Sequence, residues 1–243
     1  MKTKYLIFSD VHTNIDRADE IIKAESPDVT VCLGDIFDEF GDRPEDNGMA
    51  AYWLQENLKK DNFTCLWGNH DIHYAYPQKL TVCSGFEQSK LMAINSAIDR
   101  IYWKKMRWYC WLDKHLLTHA GLSKHHVDLL KEDNESLEQF LYKESLNANK
   151  ALIEQSSHWF FRAGYTRGGS QPIGGVIWCD WREFTPIPNL TQVFGHTPSD
   201  RIRVKHVDSM NRDDYPNYCI DTHLMQYLVY QNGKFEQKKL LDL

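Results

Sequence analysis

Residues 29–38 read Val29-Thr30-Val31-Cys32-Leu33-Gly34-Asp35-Ile36-Phe37-Asp38, an apolar, β-branched run that stops on a glycine and an aspartate. A run of that length bounded by turn residues predicts a strand with a sharp end. The same grammar recurs on either side. Residues 5–8 are apolar and lead into Ser9-Asp10-Val11-His12, and residues 63–67 lead into Gly68-Asn69-His70-Asp71. Helix-patterned stretches at 15–24 and 49–60 separate the three runs. Alternation of strand and helix predicts right-handed βαβ units and a largely parallel sheet. Ligands of such sheets bind beyond the carboxyl ends of the strands, where segments 10–14, 35–38 and 69–71 are expected to meet.

Residues 87–149 are mostly helix-patterned, interrupted by an aromatic run at 102–112 and an apolar stretch at 116–118 that read as two strands joined at Asp113-Lys114. Residues 162–175 are rich in Gly and Arg and contain Pro172, which predicts a long irregular loop of the kind that carries function. Beyond it the chain turns β-rich, with runs at 192–194, 203–207, 218–220, 225–230 and 235–240 that are expected to build a second sheet. No repeat or linker divides the 243 residues, so a single domain over 1–243 is expected.

With 42% hydrophobic and 26% charged residues the chain reads as a soluble globular protein, not a disordered or fibrous one. Its net charge of −6, from 34 acidic and 28 basic side chains, argues against nucleic acid as a partner. The apolar run near the N-terminus is too brief for a signal peptide or a membrane span. Cys32, Cys65, Cys83, Cys110, Cys179 and Cys219 form no C-x-x-C pair and mostly sit in apolar runs, so buried reduced thiols and a cytoplasmic location are expected.

Five short segments carry the chemistry: Asp10-Val11-His12, Gly34-Asp35-Ile36-Phe37-Asp38, Gly68-Asn69-His70-Asp71, Thr118-His119-Ala120-Gly121-Leu122 and Gly195-His196-Thr197-Pro198. Each follows a predicted strand. Oxygen donors from Asp and Asn mixed with nitrogen donors from His suit Mn²⁺, Fe or Zn²⁺ better than Ca²⁺ or a thiolate site. A carboxylate that bridges two cations explains a lone Asp at the end of the second strand. Two such ions, about 3.5–4 Å apart, clamp a substrate and ionise a water. Taken singly the segments have blander readings, Asp10 as a helix cap and the Gly-Asp and Gly-Asn pairs as strand-end turns. Their joint occurrence outweighs those readings.

Together the segments resemble those of the calcineurin-like metallophosphoesterase superfamily, whose pattern is D-x-H, G-D-x-x-D, G-N-H-D/E, H and G-H, in that order from Asp10 to His196. The forms Thr118-His119-Ala120-Gly121-Leu122, Phe194-Gly195-His196-Thr197 and Ile220-Asp221-Thr222 resemble most the branch of Ser/Thr phosphoprotein phosphatases and bacterial symmetrical diadenosine tetraphosphatases. The resemblance implies an α/β (α+β) four-layer sandwich of two mixed β-sheets flanked by helices, with a dinuclear metal site at the C-terminal ends of strands. It implies that Asp10 and His12 hold a first metal, that Asp35 bridges, and that Asn69, His119 and His196 complete the second. Two divalent ions are expected, Mn first, with Fe, Zn, Ni or Mg as alternatives. His70 would protonate the leaving oxygen, and Asp38 would hold its imidazole charged and oriented.

The pattern is broken in two places. Protein phosphatases follow the second motif with Arg-Gly, where this chain has Glu39-Phe40, so a phosphate-binding arginine is missing and an acid stands in its place. Relatives ending in G-H-x-H have a second histidine where this chain has Pro198. Arg162, Arg167 and Arg182 are the candidates to grip phosphate instead, because a guanidinium takes two phosphoryl oxygens at once. Asn69 is expected as a further phosphate contact. Trp178 and Trp181 read equally as pocket walls or core. The run at 101–111 reads as a half-buried strand sooner than a base-stacking surface, and Asp16, His73 and His125 read as solvated.

The expected activity is metal-dependent hydrolysis of a phosphoester or phosphoanhydride by a hydroxide held between the metals, with no phosphoenzyme. The expected partner is a phosphorylated small molecule, a nucleotide such as a dinucleoside polyphosphate, or a phosphoprotein, with no membrane involved. A phosphodiesterase or nuclease of the same superfamily is one alternative. A scaffold that has lost its metals is another, but it should show broken ligand motifs, and all six ligands are present.

Overall fold

The computed structural model describes residues 2–207 and 215–240. In chain order the elements are β1 (Tyr5–Phe8), α1 (Ile15–Glu25), β2 (Val29–Cys32), α2 (Pro44–Leu58), β3 (Phe63–Cys65), α3 (Asn69–Ala75), α4 (Gln88–Ala97), α5 (Arg100–Trp103), β4 (Tyr109–Leu112), β5 (His115–Thr118), α6 (Lys124–Leu130), α7 (Leu137–Ile153), β6 (Gln192–Phe194), β7 (Arg203–Lys205), β8 (Asn217–Cys219), β9 (Gln226–Gln231) and β10 (Lys234–Lys239). Two five-stranded sheets result, ordered β10-β9-β1-β2-β3 and β4-β5-β6-β8-β7. The βαβ reading holds: β1, β2 and β3 are parallel neighbours, with Phe8 opposite Cys32 and Cys32 opposite Cys65. In the second sheet β5, β6 and β8 run parallel between two antiparallel edge strands.

Period-two alternation glues the layers. Ile7 of β1 faces the second sheet and packs with Val31, Leu66, Leu117, Val193 and Leu228. Its neighbours Leu6 and Phe8 face the other way, into a cluster with Ala18 and Ile21 of α1 and Ala50 and Leu54 of α2. Each fully buried aliphatic side chain contributes about 1.5–3 kcal/mol, so one short strand ties two layers together. Helices outside two facing sheets make the four-layer sandwich. No helix among the described residues is long and apolar enough to cross a membrane.

Two elements depart from the sequence expectation. Strands β9 and β10 leave the second sheet and join the first, β9 antiparallel along β1 with Tyr5 opposite Tyr230. The four central residues of β9 are buried, as a strand with neighbours on both sides requires, whereas β10 is charged and largely exposed, as an edge tolerates. The aromatic run also divides. Residues 100–103 form α5, capped by Asp99 through the Ile101 N–H, and the strand begins only at Tyr109. That turn of helix buries Trp103 in a stack on Trp67, with ring centroids 5.8 Å apart.

Candidate metal centre

Parallel pairing sets the exits of β1 and β2 side by side, and their loops are laced together. Asp10 N–H donates to Gly34 C=O at 3.0 Å, His12 N–H to Asp35 C=O at 2.9 Å, and Thr13 N–H to Ile36 C=O at 2.8 Å. Asp10, His12, Asp35, Asp38 and His196 all adopt left-handed backbone, with φ of +56°, +42°, +54°, +66° and +69°. That conformation costs a non-glycine residue about 1–3 kcal/mol and turns each side chain inward at a strand end. Glycine is required where the loops touch: a Cβ on Gly68 would overlap Asp35, and one on Gly195 would overlap Ser9 and Asp10.

The inward side chains form two overlapping groups. One ligand atom each from Asp10, His12 and Asp35 lie within 4.8 Å of one another, and so do those of Asp35, His119 and His196. Asp35 belongs to both. Asn69 joins the second group, its Oδ1 3.3 Å from His119 Nε2. His12 Nδ1 sits 2.8 Å from Phe37 C=O and His119 Nδ1 2.9 Å from Leu33 C=O. A carbonyl can only accept, so both Nδ1 atoms carry the proton and both Nε2 lone pairs face the centre, the arrangement that orients a metal-binding histidine.

Those lone pairs face carboxylates, with His12 Nε2 3.9 Å and His119 Nε2 3.3 Å from Asp35 Oδ2. A proton or a cation must lie between them. Burial disfavours charge on both rings, yet the carboxylates of Asp35 and Asp10 outweigh it and push His12 up to about 9 and His119 up to about 10. His196 goes the other way: burial and the neighbouring His119 hold it neutral, with a buried Nε2 that has no hydrogen-bond partner. Three oxygen donors from Asp10, Asp35 and Asn69 and three nitrogen donors from His12, His119 and His196 fit two divalent cations. Asp10 is not the helix cap it could have been, because α1 begins after Asn14 and the Asp10 carboxylate accepts the His196 N–H instead.

His70 and Asp38 stand beside this centre, His70 Nδ1 2.9 Å from Asp38 Oδ2. Asp38 also accepts from Tyr74 Oη at 2.6 Å and Lys90 Nζ at 3.0 Å. Burial opposes its ionisation, but His70 and His73 hold it below the usual carboxylate range. Tyr74, Lys90 and His73 are supports that sequence reading missed. His73 was expected to be solvated and is fully buried, because the chain at 81–86 folds over it. Asp16, by contrast, is exposed. Asp71 was also assigned no role, yet its carboxylate accepts from the N–H groups of Asp35, Ile36 and Gly68 at 2.9, 2.7 and 2.9 Å. Its position within Gly68-Asn69-His70-Asp71, three residues past the start of a helix, was the available signal. Burial and the charge of Asp35 push it up to about 6.

A cavity of about 800 Å³ opens against Asn69, His70 and His196. Arg162 and Arg167 line it, with Trp178 and Lys79, and Arg182 does not. Arg162 donates to the hydroxyls of Ser157 and Ser170. Arg167 is anchored by Asp180 at 2.9 Å and donates to His196 C=O, while Arg182 binds the other oxygen of Asp180 from an exposed position. Trp178 meets the His196 ring edge-on, whereas Trp181 lies under Arg203 and Lys205 and against Phe194. Glu39 does not line the cavity and takes a hydrogen bond from Asn14.

Residues 3–200 match the model of the calcineurin-like phosphoesterases. Among solved structures, a cold-active protein-tyrosine phosphatase from a Shewanella species matches with a TM-score of 0.62 at 18% identity, over 98% of this chain and 78% of that one. A protein serine/threonine phosphatase from Saccharomyces cerevisiae matches with a TM-score of 0.52 at 11% identity, over 98% and 80%. At such identities the likeness is one of fold. No curated sequence matches. The family match runs through every segment that converges on the metal centre, and the chain therefore belongs to the calcineurin-like phosphoesterase family of metal-dependent hydrolases.

Proposed function

We propose that the protein hydrolyses phosphomonoesters or phosphoanhydrides with two divalent cations, Mn²⁺ foremost, held by Asp10, His12, Asp35, Asn69, His119 and His196. The observation that carries this reading is the membership of Asp35 in both ligand groups. When bound, the cations supply a Lewis acid for the phosphoryl oxygens and lower the pKa of a coordinated water to about 7. The side chains around them do the rest. Asp38, kept ionised by its neighbours, holds the Nδ1–H of His70 and leaves Nε2 to hand a proton to the departing oxygen. Arg162 has no carboxylate partner among the described residues, so its guanidinium is free to take two phosphoryl oxygens. Arg167, fixed by Asp180, adds a second cation at the rim. Arg182 shares Asp180 and acts on Arg167, not on substrate.

Among the described residues, Lys79, Arg162 and Arg167 are the cationic side chains lining the cavity, and no carboxylate joins them. That lining favours a compact substrate with more than one phosphate, which puts dinucleoside polyphosphates ahead of phosphoproteins. Mn²⁺-stimulated hydrolysis of p-nitrophenyl phosphate tests the activity, and protein that binds two ions yet hydrolyses nothing overturns it. Replacement His70→Ala is expected to cost about 10²–10⁴-fold on an alkyl phosphate and far less on p-nitrophenyl phosphate, whose leaving group needs no proton. Equal losses on both would remove His70 from the role. Diadenosine tetraphosphate and a phosphopeptide, compared by kcat/KM, rank the substrate classes.

A further inference from the structure

We infer that Cys83, His73 and His70 form a third cation site, of thiolate and imidazole character, whose occupation by Zn²⁺ or another soft divalent ion withdraws His70 from the reaction. Its inhibitory consequence rests on the proposed function, and the site itself rests on geometry. One ligand atom from each of the three residues lies within 4.8 Å of the other two. Cys83 Sγ is 3.3 Å from His73 Nδ1. A tetrahedral Zn²⁺ with bonds of roughly 2.0 Å to nitrogen and 2.3 Å to sulfur sets such atoms about 3.5 Å apart, so this pair already stands at chelating separation.

The buried ring of His73 is satisfied on one side only. Its Nε2 stands 2.8 Å from Asp38 Oδ2 as an ion-pair contact and makes no hydrogen bond among the described residues. Its Nδ1 meets the Cys83 N–H at 3.4 Å and Cys83 Sγ at 3.3 Å, so that ring nitrogen already faces the sulfur. A buried nitrogen is rarely left without a hydrogen bond, as His73 Nε2 is here. His70 lies three residues earlier on α3, so the two rings rise from one face of the helix. Asp38 stands behind both, as the outer carboxylate that orients metal-binding histidines. An ion has a way in, because Cys83 and His70 both line the main cavity. The sulfur separates this site from the oxygen-rich centre beside it: Mn²⁺ prefers the latter, Zn²⁺ and Cd²⁺ accept the former. Binding displaces the thiol proton to solvent.

Cd²⁺ added to the Mn²⁺-loaded protein reports a cadmium–sulfur bond through its ultraviolet charge-transfer absorption. The wild type is expected to show the band and bind one further equivalent, and Cys83→Ala to show neither. A band that persists unchanged in Cys83→Ala, or no band in the wild type, overturns the site. Cys83→Ser, close in shape, serves the same comparison should the alanine protein fail to fold. Zn²⁺ in the presence of excess Mn²⁺ is then expected to inhibit hydrolysis at a concentration at least about tenfold lower in the wild type than in either variant, each judged against its own uninhibited rate. Equal sensitivity overturns the inhibitory role. The absorption band needs no turnover, so an inactive enzyme that shows it refutes the proposed function and leaves the site standing.

Discussion

Asp35 concentrates more of the site than any other residue. Its Oδ1 accepts the His70 N–H, its Oδ2 faces His12 and His119, and its own N–H is held by Asp71, all from a left-handed backbone at the end of β2. Burial works against its charge, but His119 and His70 keep it ionised. Asp35→Asn preserves the shape and removes the anion common to both ligand groups. Metal analysis is expected to find fewer than two ions bound, and the rate is expected to fall by more than the about 10–100-fold that follows loss of an outer-sphere partner. An asparagine protein with two ions and an undiminished rate would refute the shared-ligand assignment. The residues of this centre were legible in sequence because each ends a strand within a short recognisable segment. Lys90 was not, since it reaches Asp38 from 52 positions away and nothing near it marks the pairing. Nor was His73, because a histidine one turn along a helix looks like a surface residue until a distant loop covers it.

Among the elements, the irregular stretch at 162–175 carries both cavity-lining arginines and depends on contacts from outside itself. His126 of α6 donates Nε2–H to Gly174 C=O at 2.9 Å and packs against Trp159, with ring centroids 4.6 Å apart. Burial, the dominant cause, lowers the affinity of His126 for a proton in the native state. The unfolded chain titrates near the ordinary value of about 6.5, so below that pH it binds more protons than the folded one. The contribution of His126 is therefore fully present above about pH 6.5 and is lost as the pH falls. His126→Gln keeps a donor without a titrating ring and is expected to flatten the decline of Tm between pH 7 and 5. Parallel Tm profiles for the two proteins would dismiss His126 as the cause. At this scale the first three strands were legible because local apolar runs and their separating helices suffice to define βαβ units. The sheet membership of β9 and β10 was not, because it is decided by register against β1, more than 190 residues earlier in the chain.

At the scale of the molecule, the centre is where the two sheets meet. Asp10, His12, Asp35 and Asn69 follow strands of the first sheet, while His119 and His196 follow β5 and β6 of the second. Cations bound there would act as staples between layers that otherwise adhere through apolar packing and a few hydrogen bonds, such as His119 to Leu33 C=O and His196 N–H to Asp10. They would also neutralise Asp10, whose burial and proximity to Asp35 raise its pKa and make its ionised form costly without a counter-charge. Ions that bind the folded chain and not the unfolded one add about 2.7 kcal/mol at 100 times their Kd. For a chain of this length that corresponds to about 5–10 °C in Tm. Mn²⁺ is thus expected to raise Tm by that amount over chelator-treated protein, and Asp35→Asn to show little of the rise. The staple has a kinetic signature as well. If the ions bind only when both sheets are in place, Mn²⁺ slows unfolding and leaves refolding unchanged, because the bonded centre is absent from the transition state. Identical Tm and identical unfolding rates with Mn²⁺ and with chelator would show that the sheets close on each other without help from the metals.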